Sequence, residues 1–462
     1  EVFRRALEGS LPNHITIGIR QQNHEKYHEK NHEKHAEKNS EKNHHEHGIH
    51  HRPGYDLTFT APKSVSILAL LGDQAHRQPL IQAHHQAVNS AMKEVERVCA
   101  QARFPQKEKT VFENTRNLVV AQFLHHTSRA LDPNLHTHNV VINATERHDK
   151  EWRALASDRS QRRDEINGFY ERVLDNQIYF GLIYKSELAK SLNQLGYQIE
   201  VTGQHGLFEI KGFPKEVLSL FSKRRNQIVQ DLEKREFKTL KAADISALNT
   251  RQAKQAVDRD TLQRDWQTEC QQVGFSADQF FQQVIKKNNQ EMIREDQVTH
   301  VKLRSDEPMD HSYDKDKKDK KESMISHKAF QAVNEAIESL SVFNTTLDYF
   351  QLVSRALKLT IGRCEPRDIL LALEQHIQNK HLITLNDQRT FTTAALIQKE
   401  ELILHHAEAV KKTNYSMYQH QTKAEHKHFF KHSVQHSVQE NVQKSVQESV
   451  QQSVQKNGEE SV

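Results

Sequence analysis

Hydrophobic and polar positions change period several times along the chain, and each change predicts an element. Gly54-Tyr55-Asp56-Leu57-Thr58-Phe59 alternates with period two, the pattern of a half-buried strand. Behind Pro62, which a first helical turn tolerates, Ser64-Val65-Ser66-Ile67-Leu68-Ala69-Leu70-Leu71 reads as a buried helix. Over residues 78–103, Ala87, Ala91, Val95 and Val98 recur at helical spacing and predict a second helix. Two apolar runs follow: Leu118-Val119-Val120-Ala121-Gln122-Phe123-Leu124, which ends at His125, and Leu135-His136-Thr137-His138-Asn139-Val140-Val141-Ile142. Asp132-Pro133-Asn134 between them is a turn signal, so the runs are expected to pair antiparallel. Trp152-Arg153-Ala154-Leu155 comes next, then a helical stretch over 165–195. A hairpin of Gly196–Val201 with Gly206–Ile210 follows, then a helix over 214–235 that carries Lys223-Arg224-Arg225. Helices on one face of an antiparallel sheet accommodate this order, so the fold class is α+β.

The flanking segments have other textures. Residues 1–22 read as a short helix and a loop. Residues 23–53 are a low-complexity insert of His-Glu-Lys units such as Asn23-His24-Glu25-Lys26, with almost nothing to bury. The compact domain is expected over 54–300, its last part helical and polar, and a charged linker over 301–326. Helix periodicity returns over 327–410 and ends in a small hairpin, His381-Leu382-Ile383-Thr384 with Arg389-Thr390-Phe391-Thr392-Thr393, which suggests a winged-helix-like module. Residues 411–462 form a tail with Ser-Val-Gln repeats, expected to be disordered. No Gly-x-x-x-x-Gly-Lys-Ser/Thr occurs, which excludes a phosphate-cradling loop of that type from these residues.

Composition narrows the picture. Only 35% of the 462 residues are hydrophobic and mean hydropathy is −0.83, which implies long solvated segments. The formal charge of +4 permits nucleic-acid binding, but any basic groove must be local. Cys99, Cys270 and Cys364 are far apart and form no Cys-x-x-Cys, which argues against a disulfide scaffold or cysteine zinc ribbon. No run of 18 apolar residues predicts a membrane span, and no signal peptide is visible, so the expected location is cytoplasmic.

The candidate chemistry sits on the two apolar runs. His136 and His138 are two apart on a strand, so both imidazoles point to one face, and antiparallel pairing lets His125 reach it. Three neutral imidazoles on one divalent cation leave positions open for a substrate oxygen or water. The chain has 31 histidines and repeats His-x-His at His45-Glu46-His47, so the pair alone identifies nothing. The strand, the turn and the third histidine supply the context.

The wording around these residues extends the reading. Gly54-Tyr55-Asp56-Leu57-Thr58-Phe59-Thr60-Ala61-Pro62-Lys63-Ser64-Val65-Ser66, followed by Thr127-Ser128-Arg129 and Asp132-Pro133-Asn134-Leu135-His136-Thr137-His138, resembles the conjugative relaxases of the TrwC/TraI type. These form the MobF family of HUH endonucleases. The resemblance implies an antiparallel sheet with a metal site on its open face, and metal-dependent nicking of one DNA strand at a plasmid transfer origin through a tyrosine–DNA phosphodiester. It makes His125, His136 and His138 the ligands of Mg²⁺ or Mn²⁺, and Asp56 the carboxylate that orients a ligand histidine and accepts a proton. Lys63, Arg116, Arg129 and Arg153, in or beside the motifs, become candidate DNA contacts. Tyr55, Phe59, Phe123 and Trp152 are candidates for base stacking, with core packing expected for Phe59 and Phe123.

The implied partners are single-stranded DNA at a transfer origin, relaxosome accessory proteins and a secretion coupling protein, acting on a monomer in the bacterial cytoplasm. Residues 327–410 are similar to the segment that opens the helicase part of these proteins. In the family the nucleophilic tyrosines lie near the start, well upstream of the Asp56 motif. Here Tyr27, inside the His-Glu-Lys repeat, is the only tyrosine before Tyr55, and Tyr55 should face away from Asp56. The expectation is therefore an N-terminally truncated relaxase that binds metal and single-stranded DNA without nicking. Two alternatives remain: a non-catalytic DNA-binding remnant, and a His-rich metal-binding protein that works through residues 23–51.

Overall fold

A computed structural model describes residues 52–107, 109–157, 168–234, 246, 257–284, 315–385 and 389–418. The segment 1–22, the His-Glu-Lys repeat with Tyr27, linker residues 301–314 and the Ser-Val-Gln tail from 419 onward lie outside the described residues. Residues up to Leu340 together with Tyr349–Gln375 make one compact unit, and Ser341–Asp348 with the chain from His376 make a second.

The first unit is built on three antiparallel strands. They are β1 (Gly54–Thr60), β4 (Val120–Thr127) and β5 (Pro133–Ile142), with β5 in the centre. The register runs from Gly54 opposite Ile142 to Thr60 opposite His136, and from Val120 opposite Val141 to His125 opposite His136. Gly54 has a specific role: a Cβ there would collide with the Val141 carbonyl oxygen across the pair. The anticipated turn joins β4 to β5. Ser128 N–H donates to the Asp132 carbonyl (2.9 Å), and the Ser128 hydroxyl accepts from the amides of Ala130 and Asp132. Leu131 adopts φ 59°, the left-handed conformation that closes the turn.

Helices cover one face of this sheet. α1 (Lys63–Leu71) packs on β5, and all of its residues from Ser64 to Leu71 are buried. α2 (Gln74–Cys99) opens on Asp73, whose carboxylate accepts from the His76 amide at 3.0 Å. It buries Leu80, Ala83, Ala87, Val88, Ala91, Val95 and Val98 at helical spacing. β2 (Gln101–Gln106) and β3 (Lys109–Asn114) then form a hairpin. The helix predicted over 78–103 therefore starts earlier and stops at Cys99. The hairpin was hidden because its turn carries no glycine or proline: Lys107 supplies the positive φ of 55° instead.

Beyond β5 come the short β6 (Thr145–Glu146) and β7 (Trp152–Arg153), paired with each other. α3 (Phe169–Asp175) and α4 (Gln177–Gln194) divide the stretch predicted as one helix, with Asn176 leaving helical geometry between them. α4 packs on α2 and buries Tyr179, Phe180, Leu182, Ile183, Tyr184, Leu188 and Leu192. The predicted hairpin is present as β8 (Ile199–Val201) and β9 (Phe208–Ile210). The helix predicted over 214–235 breaks at Phe221 into α5 (Lys215–Leu220) and α6 (Lys223–Lys234). α7 (Arg259–Gln272) completes the part that bears on the site, with Asp258 capping its first turn. Burying Leu135, Ile67 and Leu80 completely stabilises this layer by about 1.5–3 kcal/mol per side chain.

In the second unit β10 (Leu347–Asp348), β11 (Ile383–Thr384) and β12 (Thr390–Thr392) form a sheet in the order β10-β12-β11. The anticipated small hairpin is β11 with β12, and β10 adds a strand to it. Among the described residues no helix is long and apolar enough to cross a membrane.

Candidate metal centre and adjoining cleft

β5 carries His136 and His138 two residues apart, and the pleat sends both imidazoles to the face that the helices leave open. Pairing sets His125 of β4 opposite His136, and Thr58 of β1 opposite His138. The rings meet with centroids 4.8 Å apart for His125 and His138, 5.1 Å for His136 and His138, and 5.3 Å for His125 and His136. One nitrogen from each lies within 4.8 Å of the other two.

Hydrogen bonds orient the rings of His138 and His136. His138 Nδ1 lies 2.7 Å from Asp56 Oδ2 and 3.1 Å from Thr58 Oγ1, so its Nδ1–H donates to the carboxylate and leaves the Nε2 lone pair outward. His136 Nδ1 donates to the Asn134 carbonyl at 2.9 Å, which selects the same tautomer. Burial lowers the His136 pKa first, the Asn134 bond opposes this, and the neighbouring His138 and His125 lower it further. The ring is therefore held neutral, the form that can ligate. The donor set fits a divalent cation, with imidazole nitrogens facing one space and a carboxylate behind one of them.

The opposite side of β5 is locked from below. Thr137, between the two histidines, has its hydroxyl 2.9 Å from Nε2 of the fully buried His84, whose Nδ1 is 2.8 Å from the Tyr184 hydroxyl. Burial pushes the His84 pKa down to about 3, with His136 and His85 lowering it further, so this histidine is a neutral core residue. Tyr55 is also on this side, with its ring 5.0 Å from that of Phe169, and it faces away from Asp56 as alternation requires.

The three histidines line a cleft of about 910 Å³. Its lining includes Arg77 of α2, Arg129 of the turn, Arg224 of α6, Arg259 of α7 and Trp266, whose Nε1–H donates to the Leu131 carbonyl at 2.8 Å. Asp56 is the only carboxylate among the lining residues. His126 lines it as well. In a regular strand His126 would face away from His125, but the register of β4 slips between His125 and Thr127, and the bulge re-aims it. Burial lowers its pKa to about 4, aided by the charges of Arg259 and Arg77.

The other predicted contacts fall elsewhere. Lys63 Nζ donates to the Pro133 carbonyl at 2.9 Å and so pins the start of β5. Arg116 is exposed in the loop after β3, at φ 51°. Arg153 Nη2 is 2.6 Å from Glu151. None of these three lines the cleft, whereas Arg129 does. Phe59 packs toward Tyr184 with ring centroids 5.4 Å apart, as expected of a core side chain. Phe123 departs from that expectation: it is 46% exposed, because its alternation with His125 puts it on the open face, opposite His138. Sequence reasoning missed Arg77, His126 and Arg259, which come from separate elements and share no motif. A second group, Asp73, His76 and Asp278, also lies within 4.8 Å, but its carboxylates accept backbone amides at the start of α2.

The chain is similar to known proteins of conjugation. The chain is 33% identical over 407 residues to the multifunctional conjugation protein TraI of Escherichia coli, and 32% identical over 407 residues to that of strain K12. Each alignment covers 87% of this chain and 19% of the relative, so the chain spans about a fifth of their length. A metal-bound structure of the conjugative relaxase TrwC in complex with oriT DNA is 32% identical, with a TM-score of 0.47 over 60% of this chain and 83% of that one. TrwC with a 27-mer DNA comprising the recognition hairpin and the cleavage site is 36% identical, with a TM-score of 0.43 over 48% of this chain and 75% of that one. The TrwC relaxase family model matches residues 1–273, more than half of the 462, and the chain belongs to that family.

Proposed function

We propose that this chain is a relaxase domain of conjugative DNA transfer that binds a divalent cation and single-stranded DNA for strand cleavage and transfer at a transfer origin. One observation carries the reading. Three imidazoles converge on the open face of the sheet, with Asp56 behind His138, in a cleft that arginines also line. His125, His136 and His138 would hold the ion, Mg²⁺ or Mn²⁺, of which imidazole donors favour the second. When bound, such an ion polarises a phosphodiester oxygen and offsets the charge that develops during cleavage.

The chain's own residues prepare for that chemistry. Asp56 fixes the tautomer of His138 and lies inside the cleft, where it can take the proton of an attacking hydroxyl. The Asn134 carbonyl does the equivalent orienting work for His136. Arg129 and Arg224 supply positive charge along the strand's path. The attacking group in this reading is a tyrosine outside the cleft lining, since no tyrosine is among the lining residues and Tyr55 is buried on the far side of the sheet. Residues 54–300 are taken as the relaxase domain and 327–410 as the start of a helicase region. The natural partners would be an origin strand, relaxosome accessory proteins and a coupling protein, with the domain acting as a monomer.

Titrating Mn²⁺ into the full chain tests this reading. One tight site is expected. It is lost in His136→Ala and weakened about 10–100-fold in Asp56→Ala, the usual effect of removing a carboxylate behind a ligand histidine. A wild-type chain that binds neither Mn²⁺ nor a single-stranded oligonucleotide, or a His136→Ala variant that titrates like wild type, overturns it.

A further inference from the structure

The cleft holds a cationic pair that the metal centre does not use. Arg77, in the first turn of α2, and Arg259, the first residue of α7, both line it, and the charges of both reach the bulge residue His126. Neither guanidinium makes a hydrogen bond or ion pair among the described residues. Arg97, Arg147 and Arg153 of the same unit, by contrast, each sit on a carboxylate. Among the described residues that line the cleft, the only carboxylate, Asp56, is already taken by His138. Two like charges that share a space repel each other until an anion enters. Arg77 registers this, its pKa lowered by burial and then by the charge of Arg259.

The guanidinium fork matches the oxygens of a phosphate, and two forks from different helices can grip one group from two sides. A lone small anion would leave most of the cleft unfilled, since it runs on to the three histidines with a volume of about 910 Å³. A phosphodiester chain fills both parts, with one phosphate at the histidines and another at the arginines.

We propose that Arg77 and Arg259 form a phosphate seat, distinct from the metal centre, that holds a neighbouring phosphodiester of single-stranded DNA and so positions the phosphate presented to His125, His136 and His138. The inference rests on the relaxase reading above. Both arginines are positioning residues, since neither touches the candidate metal site. The seat should work without metal.

Fluorescence anisotropy with a labelled oligothymidylate, measured on the full chain between about 50 and 200 mM salt, tests this. Each lost phosphate contact on a single strand removes about 0.7 from the slope of log affinity against log salt. Arg77→Ala with Arg259→Ala removes one phosphate contact and is expected to lower that slope by about 0.7 and to weaken binding about tenfold, equally in Mn²⁺ and in EDTA. Arg77→Lys with Arg259→Lys keeps the charges, and should restore the slope while recovering only part of the affinity. An alanine pair with unchanged slope overturns the seat, whether or not affinity falls. So does a loss that appears only with Mn²⁺, because it would assign the arginines to the metal centre. If the wild-type chain has no affinity for the oligonucleotide, the relaxase reading itself fails. If wild type binds and the pair is silent, only the seat fails.

Discussion

His84 shows how much of the candidate metal site is held from behind. It is fully buried, bonded to Thr137 on one side and Tyr184 on the other, and its pKa is about 3 against an unfolded value of 6.5. Its folded pKa is depressed, so the unfolded chain binds the proton more readily between those values. The stability it contributes is complete above pH 6.5 and is lost as pH falls toward 3, by up to ~5 kcal/mol. Denaturation across this range should show a steep acid limb in the wild-type chain and a flatter one in His84→Gln, which keeps polar contacts but does not titrate. Equal limbs would mean that His84 is protonated in the folded protein. The three outward histidines were legible in the sequence because strand alternation and a proline turn are local signals. His84, His126, Arg77 and Arg259 were not. Their roles depend on a β-bulge and on which helix residues pack near β4 and β5, and no local period encodes either.

At the scale of elements, the turn between β4 and β5 ties the site together. Trp266 of α7 donates to Leu131, Lys63 of α1 donates to Pro133, and Asp132 is almost fully buried beside Lys223 at the start of α6. Burial pushes the Asp132 pKa up to about 6, against the pull of Lys63 and Lys223. A carboxyl raised from 3.8 holds its proton longer in the folded state, so its contribution is full below pH 3.8 and declines as pH rises through 6. The loss amounts to at most ~3 kcal/mol. Asp132→Asn should therefore remove this decline, and chemical denaturation at pH 5 and 7 should show a smaller difference than in wild type. A variant as pH-sensitive as wild type would show that Asp132 is ionised throughout. The sequence announced the turn through Asp132-Pro133-Asn134 but not the clamp, because α6 and α7 follow roughly 90 to 130 residues later. It hid the β2–β3 hairpin for the opposite reason: Lys107 takes a positive φ that a glycine would have advertised.

For the whole molecule the open question is which of its 31 histidines bind metal. The His-Glu-Lys repeat over 23–51 has many imidazoles but no apolar pattern to fix their positions. The β4–β5 site has its rings already oriented by strand pairing, Asp56 and Asn134. Preorganisation should therefore make it the tight site even though it has fewer histidines. Deleting residues 23–51 is expected to remove weak Mn²⁺ or Ni²⁺ binding while leaving one tight site, and adding His136→Ala to the deletion should abolish that one too. Calorimetric stoichiometry separates the two classes. Loss of the tight site on deletion alone would transfer the metal chemistry to the repeat, and would leave the three histidines of the sheet as hydrogen-bonding residues of the cleft.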